Sequence, residues 1–140
     1  MKILLVYPQF PDTFWSFKHA IKFVGKKASN PPLGLITVAA MLPSDWQVRL
    51  VDTNIEPLSN ADILSADLIF ISAMDVQRAS VRQITRRCKQ LGARIVAGGP
   101  LFTGEYEDFP EIDHFVLNEG EITFPQFLAD WQNGNPRRIY

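Results

Sequence analysis

Glycines, acidic residues and single polar residues suited to ligand binding follow directly after short apolar runs of this sequence. Gly98-Gly99-Pro100 would let the backbone approach a flat or bulky ligand closely, or would form a strand-to-loop turn, and both interpretations remain open. Ser72 could donate a hydrogen bond to a ligand's polar tail or cap a helix. Glu119-Gly120-Glu121 could pair with ligand amides or a neighbouring domain, or Glu121 could stabilise the first turn of a helix. These residue types are typical of a binding site.

Several kinds of chemistry are absent from the sequence. His19 and His114 are far apart and lie in no metal-ligand spacing, so both are interpreted as structural. Cys88 falls on the apolar stripe of a predicted helix and is interpreted as a buried, inert thiol. Asp52 has no second acidic residue beside it, and the loop after the first apolar run lacks the acidic pair of a phospho-accepting receiver domain. There is no Gly-x-Gly-x-x-Gly fingerprint, Walker A loop or nucleophile–base pair. The residues therefore predict a binding domain with no catalytic and no metal-ligating residues.

Length and composition narrow the class of protein further. The 140 residues carry a net charge of −1 and predict one domain over residues 1–140. A single cysteine excludes an internal disulfide and a cluster held by four thiolates. The near-neutral charge gives no reason to expect nucleic acid as a partner, and no apolar run approaches the ~20 residues of a transmembrane helix. We expect a cytoplasmic protein.

The elements that must position these residues alternate along the chain. Five short apolar runs predict buried parallel strands at residues 3–7, 48–51, 68–71, 95–97 and 114–117. Helical spacing is seen over residues 35–42, 76–91 and 122–131, and residues 62–64 are expected to form one helical turn. Residues 98–104 are interpreted as the loop after the fourth strand. The pattern predicts a flavodoxin-like, doubly wound α/β fold in three layers, with a five-stranded parallel sheet of order 2-1-3-4-5. A long aromatic insertion at residues 9–32 is expected to contain a short helix near residues 16–24.

Six pieces of sequence, in order along nearly the whole chain, carry a family resemblance. They are Lys2-Ile3-Leu4-Leu5-Val6-Tyr7-Pro8, Pro31-Pro32-Leu33-Gly34-Leu35, Val51-Asp52-Thr53-Asn54, Asp67-Leu68-Ile69-Phe70-Ile71-Ser72-Ala73-Met74 with Gln77, Gly98-Gly99-Pro100 with Thr103, and Asn118-Glu119-Gly120-Glu121. Together they resemble the N-terminal cobalamin (vitamin B12)-binding domain of B12-dependent radical SAM enzymes. Phe14-Trp15-Ser16-Phe17-Lys18 with Gly25-Lys26-Lys27-Ala28 resembles a subgroup of which some members act on hopanoid-like lipids.

The resemblance implies a role for each loop. The corrin ring would lie across the carboxyl ends of the strands, and the nucleotide tail of cobalamin would enter the crevice beside the sheet. Ser72-Ala73-Met74 matches the family's Ser-x-Leu position, where the Ser meets the tail, and Gly98-Gly99 matches the pair that lets the tail pass. The implied cofactor-binding residues are Pro8, Gln9, Phe10, Pro32, Leu33, Gly34, Asn54, Ser72, Ala73, Met74, Gln77, Gly98, Gly99, Pro100, Thr103, Glu119, Gly120 and Glu121.

Two departures from better-known relatives refine this expectation. Methionine synthase-like domains carry Asp-x-His-x-x-Gly after the first strand, whereas Pro8-Gln9-Phe10 stands here, so we expect base-off cobalamin with no histidine on cobalt. Water or Gln9 would be the lower ligand. The Cys-x-x-x-Cys-x-x-Cys barrel domain, which holds a [4Fe-4S] cluster and S-adenosylmethionine, is absent from these residues and is expected C-terminally in a full-length protein, commonly a methyltransferase.

Two alternatives remain open. The chain could be a flavodoxin-like protein-interaction domain that has lost its cofactor, with the aromatic residues 10–23 as a docking surface. A flavin or nucleotide binder of the same fold is less well supported, because the phosphate-loop chemistry is missing.

Overall fold

The computed structural model describes residues 1–12 and 31–140. The strands are β1 (Lys2–Tyr7), β2 (Gln47–Asp52), β3 (Leu68–Ser72), β4 (Ile95–Gly98) and β5 (His114–Val116). The α-helices are α1 (Leu33–Met41), α2 (Asn60–Ser65), α3 (Arg78–Gln90), α4 (Pro100–Glu105) and α5 (Gly120–Gln132). Single 3-10 turns occupy Asp75–Gln77 and Tyr106–Asp108. The helix expected near residues 16–24 and most of the aromatic insertion lie outside the described residues.

The five strands form one parallel sheet in the order β2-β1-β3-β4-β5, which confirms the prediction. Lys2 of β1 lies opposite Gln47 of β2, and Ile3 lies opposite Leu68 of β3. Each predicted strand differs from the observed one by no more than one residue at either end. The apolar runs locate the strands well because both faces of a central parallel strand are buried under helices.

Apolar side chains fill both faces of this sheet, so the domain has the three layers that were predicted. One cluster joins the sheet to α2, α3 and α4 through residues such as Ile63, Val81 and Phe102. The other joins it to α1 and α5 through Leu35 and Phe124. Successive side chains of a strand point to opposite faces, so Leu4 and Val6 of β1 join the first cluster, whereas Ile3 and Leu5 join the second.

Helix boundaries follow local stop and start signals. α1 ends at Met41, two residues before Pro43, and α3 ends before Gly92, whose φ is 74°. α5 ends at Gln132, before Gly134 with a φ of 74°, close to the predicted end. Residues 98–104 were interpreted as a loop, and this was wrong for residues 100–104, which lie in α4. Pro100 occupies the first position of that helix, where its fixed φ and missing N–H are favourable.

The segment after α5 returns to the sheet, which sequence patterns did not predict. Ile139 forms a parallel bridge with Phe115 of β5. The amide N–H groups of Phe115 and Leu117 donate to the carbonyls of Arg138 and Tyr140, at 2.7 Å and 3.0 Å. These residues cover the edge of β5. Within residues 1–12 and 31–140, no helix has the length and apolarity needed to cross a membrane.

Candidate functional site

A cleft of about 330 Å³ opens at the carboxyl ends of β3, β4 and β5, beside the first residues of α1 and α5. Its size falls in the range of small-molecule sites, roughly 300–1,000 Å³. In a parallel sheet the carboxyl ends of the strands and the N-termini of the helices meet at one edge, so loops distant in sequence converge there. The cleft is lined by residues of these elements: Leu33, Gly34, Leu35, Thr37, Val38, Phe70, Ile71, Ser72, Val96, Ala97, Gly98, Gly99, Val116, Asn118, Glu119, Gly120 and Glu121. Eight of the implied cofactor-binding residues are among them: Leu33, Gly34, Ser72, Gly98, Gly99, Glu119, Gly120 and Glu121.

Ser72 supplies a free hydroxyl in this cleft. It is the last residue of β3 and lies opposite Gly98 of β4. Its Oγ has no hydrogen-bond partner among the described residues. A Cβ added to Gly34 would lie 3.3 Å from that oxygen, so glycine lets the first turn of α1 approach the hydroxyl. The hydroxyl is therefore available to a ligand.

Gly98 and Gly99 are each required by contacts within the protein itself. A Cβ on Gly98 would lie 2.8 Å from the carbonyl oxygen of Val116 in β5. Gly99 has a φ of 96°, and its Cβ would lie 2.9 Å from Ser72 Oγ and 3.0 Å from the Ala73 carbonyl oxygen. The turn interpretation of this pair is thus confirmed. The same two residues line the cleft without side chains, which leaves room for a ligand against the backbone.

The turn between β5 and α5 forms another wall. Asn118 has a φ of 60°, and its N–H donates to Thr103 Oγ1 at 3.0 Å. Thr103, predicted to contact the cofactor, is outside the cleft lining and instead holds this turn. Glu119 precedes α5, and Glu121 lies in its first turn, where a negative charge is favourable.

The loop after β1 is held by side-chain amides. The buried Gln77 donates from Nε2 to the carbonyl of Pro8, and Asn54 Nδ2 donates to the same carbonyl at 3.2 Å. The N–H of Phe10 donates to Asn54 Oδ1 at 2.9 Å, and the N–H of Gln9 donates to Ser80 Oγ at 2.9 Å. These implied site residues form a cluster separate from the cleft lining.

A second cavity of about 500 Å³ involves the same loop. Gln9 and Asn54 line it together with polar residues of α3 such as Gln83 and Arg87. Arg87 donates to the carbonyl of Leu58 at 2.6 Å. The structure therefore places Gln9 with a different cavity from Ser72.

The remaining implied residues lie around the cleft without lining it. Pro32 is buried just before α1. Ala73 is buried, its N–H donating to the Gly98 carbonyl at 3.2 Å. Met74 is exposed, as is Pro100 at the start of α4.

Nine lining residues were not among the predicted cofactor-binding residues: Leu35, Thr37, Val38, Phe70, Ile71, Val96, Ala97, Val116 and Asn118. Thr37 and Val38 lie three and four positions after Gly34 on α1, so helical spacing alone could have placed them on one face with it. Val116 is the last residue of β5, and Asn118 directly precedes the predicted site residues that begin at Glu119, so their position at the strand end could have identified them.

The shifted titratable groups lie outside the cleft. Burial raises the pKa of the Cys88 thiol to about 11, against an opposing effect of Arg87 and Lys89. Burial and the nearby Asp52 carboxylate raise the pKa of Tyr7, and a hydrogen bond with Gln77 opposes this. His114 Nδ1 lies 2.7 Å from the Arg137 carbonyl oxygen. The described part of the chain contains no group of three His, Cys, Asp or Glu side chains suited to a metal ion.

A doubly wound parallel α/β domain with a cleft at the strand carboxyl ends has the architecture in which small-molecule sites commonly form. Residues 27–128 match the family described as "B12 binding domain". This match covers more than half of the chain, and the chain belongs to the B12-binding domain family.

Curated relatives are much longer proteins. The chain is 40% identical to an uncharacterised methyltransferase of Synechocystis, over 99% of this chain and 26% of that protein. It is 34% identical to the hopanoid C-2 methylase of Rhodopseudomonas palustris, over 91% of this chain and 24% of that enzyme. It is 31% identical to an uncharacterised methyltransferase of Pyrococcus horikoshii, over 96% of this chain and 30% of that protein. The chain thus spans about a quarter of the length of the curated relatives it matches.

A solved structure shares the fold. The N-terminal domain of a hypothetical protein of Thermotoga maritima superposes with a TM-score of 0.51, at 20% identity, over 81% of this chain and 92% of that one.

Two features of the described residues fit a cobalamin tail. The cleft passes between α1 and α5 against backbone that carries no Cβ at Gly98 and Gly99. Ser72 Oγ is unpaired among the described residues and faces Gly34, so it can donate to a polar atom of the ligand. These groups can bind and position a ligand.

Proposed function

We propose that this domain binds cobalamin in the base-off form, with the corrin ring across the carboxyl ends of the strands and the nucleotide tail in the cleft. The observation that carries the proposal is the hydroxyl of Ser72, unpaired within residues 1–12 and 31–140, in a glycine-lined cleft of a chain that belongs to the B12-binding domain family. The tail has a flat base and a polar ribose phosphate, so it needs a narrow slot and hydrogen-bond donors. Ser72 would donate to the tail, and Gly98 and Gly99 would let it lie against the backbone.

We infer that no histidine ligates the cobalt. Pro8, Gln9 and Phe10 stand directly after β1, and their side chains offer no imidazole. His19, farther along the same segment, lies outside the described residues. His114 is hydrogen-bonded to the Arg137 carbonyl, and its ring lies 5.6 Å from that of Phe127 on α5, centroid to centroid. Gln9 lines the second cavity, and this favours water as the lower ligand.

The longer protein is proposed to be a B12-dependent radical SAM methyltransferase. The support is that three relatives with methylase or methyltransferase names are about four times as long as this chain. A radical SAM domain of the same chain, holding a [4Fe-4S] cluster and S-adenosylmethionine, would be the partner of this domain. When bound, methylcobalamin supplies a methyl group on cobalt, and the residues described here hold and orient the cofactor.

Titration with hydroxocobalamin tests whether the domain binds cobalamin. We expect the domain, and the longer protein, to take up the corrinoid with a base-off absorption spectrum. After reduction to Co(II), the electron paramagnetic resonance (EPR) spectrum should lack the splitting caused by a nitrogen ligand. Ser72→Ala should raise the Kd about fivefold to tenfold, because one hydrogen bond to the tail is lost.

The controls separate the alternatives. Cobinamide, which lacks the nucleotide tail, should bind more weakly than cobalamin and should not respond to Ser72→Ala. Failure of both proteins to bind cobalamin at high micromolar concentration would exclude the proposal. A bound flavin would then favour the flavin-binding alternative, and absence of any cofactor would favour the interaction domain.

A further inference from the structure

The side chain of Gln77 joins the loops that follow β1 and β3. It is fully buried, at 0% exposure, although Gln is usually a surface residue. Its Nε2 donates to the carbonyl of Pro8, and its Oε1 accepts from the N–H of Met74 at 2.8 Å. Backbone groups of the two loops therefore pair with both ends of the amide, and the Tyr7 hydroxyl hydrogen-bonds Gln77 as well.

Asn54 makes the corresponding link from the loop after β2. Its Oδ1 accepts from the N–H of Phe10 at 2.9 Å. Its Nδ2 donates to the carbonyl of Pro8 at 3.2 Å and to Asp52 Oδ1 at 2.7 Å. The Pro8 carbonyl thus accepts from two side-chain amides, and three neighbouring loops are tied together at one atom. We call Gln77, Asn54 and the Pro8 carbonyl the amide clasp.

We propose that the amide clasp is a positioning device that fixes residues 8–10 beneath the lower face of the corrin. This inference rests on the proposed function, because it assumes that cobalamin lies over these loops. Gln77 does not touch the cofactor and acts through the Pro8 backbone. Residues 8–10 carry no imidazole to bind the cobalt, so their distance from it is constant only if their backbone is fixed. The side-chain amides of the buried Gln77 and the half-buried Asn54 supply that constraint.

The Gln77→Glu substitution separates the two hydrogen bonds of Gln77. A carboxylate of nearly the same shape still accepts from the N–H of Met74, but it has no proton to donate and repels the Pro8 carbonyl. When the carboxyl is protonated, its O–H can donate to Pro8 again. Burial raises a carboxyl pKa above the ordinary Glu value of about 4.3.

Acidic groups near this position favour the protonated carboxyl, whereas the Tyr7 hydroxyl, a hydrogen-bond partner of Gln77, opposes them because it can donate to a carboxylate. Asp52, whose charge also raises the pKa of Tyr7, favours the protonated carboxyl. On the turn that carries Gln77, Asp75 pairs with Arg78 at 2.7 Å. The nearby Arg78 contacts three carboxylates, those of Asp75, Glu105 and Asp108. We therefore expect the defect of Gln77→Glu to be present at pH 8 and to lessen as the pH falls toward 6.

The experiment compares cobalamin binding by wild type, Gln77→Glu and Gln83→Glu at pH 8 and pH 6. Gln83 lies on α3, exposed, and lines the second cavity, so its variant makes the same charge change outside the clasp. We expect Gln77→Glu to raise the Kd at least about tenfold at pH 8 and to broaden the Co(II) EPR lines. Both effects should lessen at pH 6, while Gln83→Glu behaves as wild type at each pH.

The outcomes distinguish the two levels of inference. If wild type does not bind cobalamin, the proposed function fails. If wild type binds, and Gln77→Glu shows the same Kd and EPR spectrum at pH 8, the clasp proposal is wrong. Circular dichroism and urea unfolding identify conditions in which each variant is fully folded. If Gln77→Glu does not fold, Asn54→Ala at the half-buried side of the clasp takes its place, with the same expected rise in Kd and line broadening at pH 8.

Discussion

At the residue scale, the glycines of the cleft differ in the reason that each is needed. A Cβ on Gly98 would meet the backbone of β5, and Gly99 has a left-handed φ as well as three close neighbours. By contrast, a Cβ on Gly120 would have nothing within 4 Å, although Gly120 also lines the cleft. The fold therefore demands glycine at Gly98 and Gly99 and tolerates a side chain at Gly120.

These two classes of glycine predict different losses of stability. Gly99→Ala should reduce the free energy of unfolding by about 1–3 kcal/mol, because it combines a positive φ with steric contact at Ser72 and Ala73. Gly120→Ala should stay within about 0.5 kcal/mol of wild type. Urea unfolding followed by circular dichroism measures both. Equal stability of the two variants would contradict this distinction.

At the element scale, α2 is a helix of six residues stabilised at its start by a capping box. Ser59 Oγ accepts from the N–H of Asp62 at 3.1 Å, and Asp62 Oδ2 accepts from the N–H of Ser59 at 3.0 Å. The Ser59 hydroxyl also donates to Asp62 Oδ2 at 2.6 Å. This bond, followed by the one from the Ser59 N–H, lowers the pKa of Asp62 from its ordinary value of 3.8, with a smaller contribution from Arg49. A short helix needs such an end because its own hydrogen bonds are few.

The capping box predicts a pH-dependent contribution to stability. Ser59→Ala should reduce the free energy of unfolding by about 1 kcal/mol at pH 7. The folded-state pKa of Asp62 is lowered, so this stabilisation is present above the unfolded pKa of 3.8 and is lost as the pH falls through the lower folded-state pKa. Urea unfolding at several pH values from 7 to 3 measures the difference between wild type and variant. A difference that grows on acidification would argue against the capping box.

The elements also show what sequence patterns reveal. All five strands, α3 and α5 were located, because buried strands are continuous apolar runs and amphipathic helices repeat every three to four residues. α4 was missed because Gly98-Gly99-Pro100 indicates a turn, and the helical signal of Pro100 at a first position is local and weak. Eight of the predicted site residues line the cleft. By contrast, Gln77 and Asn54 belong to the amide clasp, which depends on contacts between distant loops. Such contacts have no signature in local sequence.

At the scale of the whole molecule, the two edge strands of the sheet differ in how far they are covered by other residues. β2 lies at one edge, and residues such as Val48 and Leu50 are partly exposed there, at 43% and 37%. β5 lies at the other edge and is covered by residues 138–140. The Tyr140 hydroxyl donates to Asp130 Oδ2 on α5 at 2.9 Å, which holds this cover in place.

Removal of residues 137–140 should expose the edge of β5. Three backbone hydrogen bonds between this segment and the strand region would be lost, and we expect a fall of about 1–4 kcal/mol in the free energy of unfolding. The bare edge should also promote association of the chains. Urea unfolding and size-exclusion chromatography measure the two effects.

Tyr140→Phe is the matched control for this deletion. It keeps the backbone hydrogen bonds and loses only those of the hydroxyl, with Asp130 and with the N–H of Arg137. We expect a loss of about 1 kcal/mol and no association. A deletion variant that remains monomeric and as stable as wild type would show that the edge needs no cover.

The parallel strand order also has a consequence for folding during synthesis. β1 is synthesised first but lies between β2 and β3 in the sheet. Lys2 can therefore pair only after Gln47 has been synthesised, and Ile3 can complete its second pairing only after Leu68 has been synthesised. No strand in the described residues can pair with a partner through a tight hairpin, since every pairing is parallel. We therefore expect the ribosome-bound chain to stay unstructured until β3 has emerged, after which the sheet grows toward β5. The edge of β5 is covered only when residues 138–140 have emerged, so the last layer of the sheet depends on residues that are made after α5.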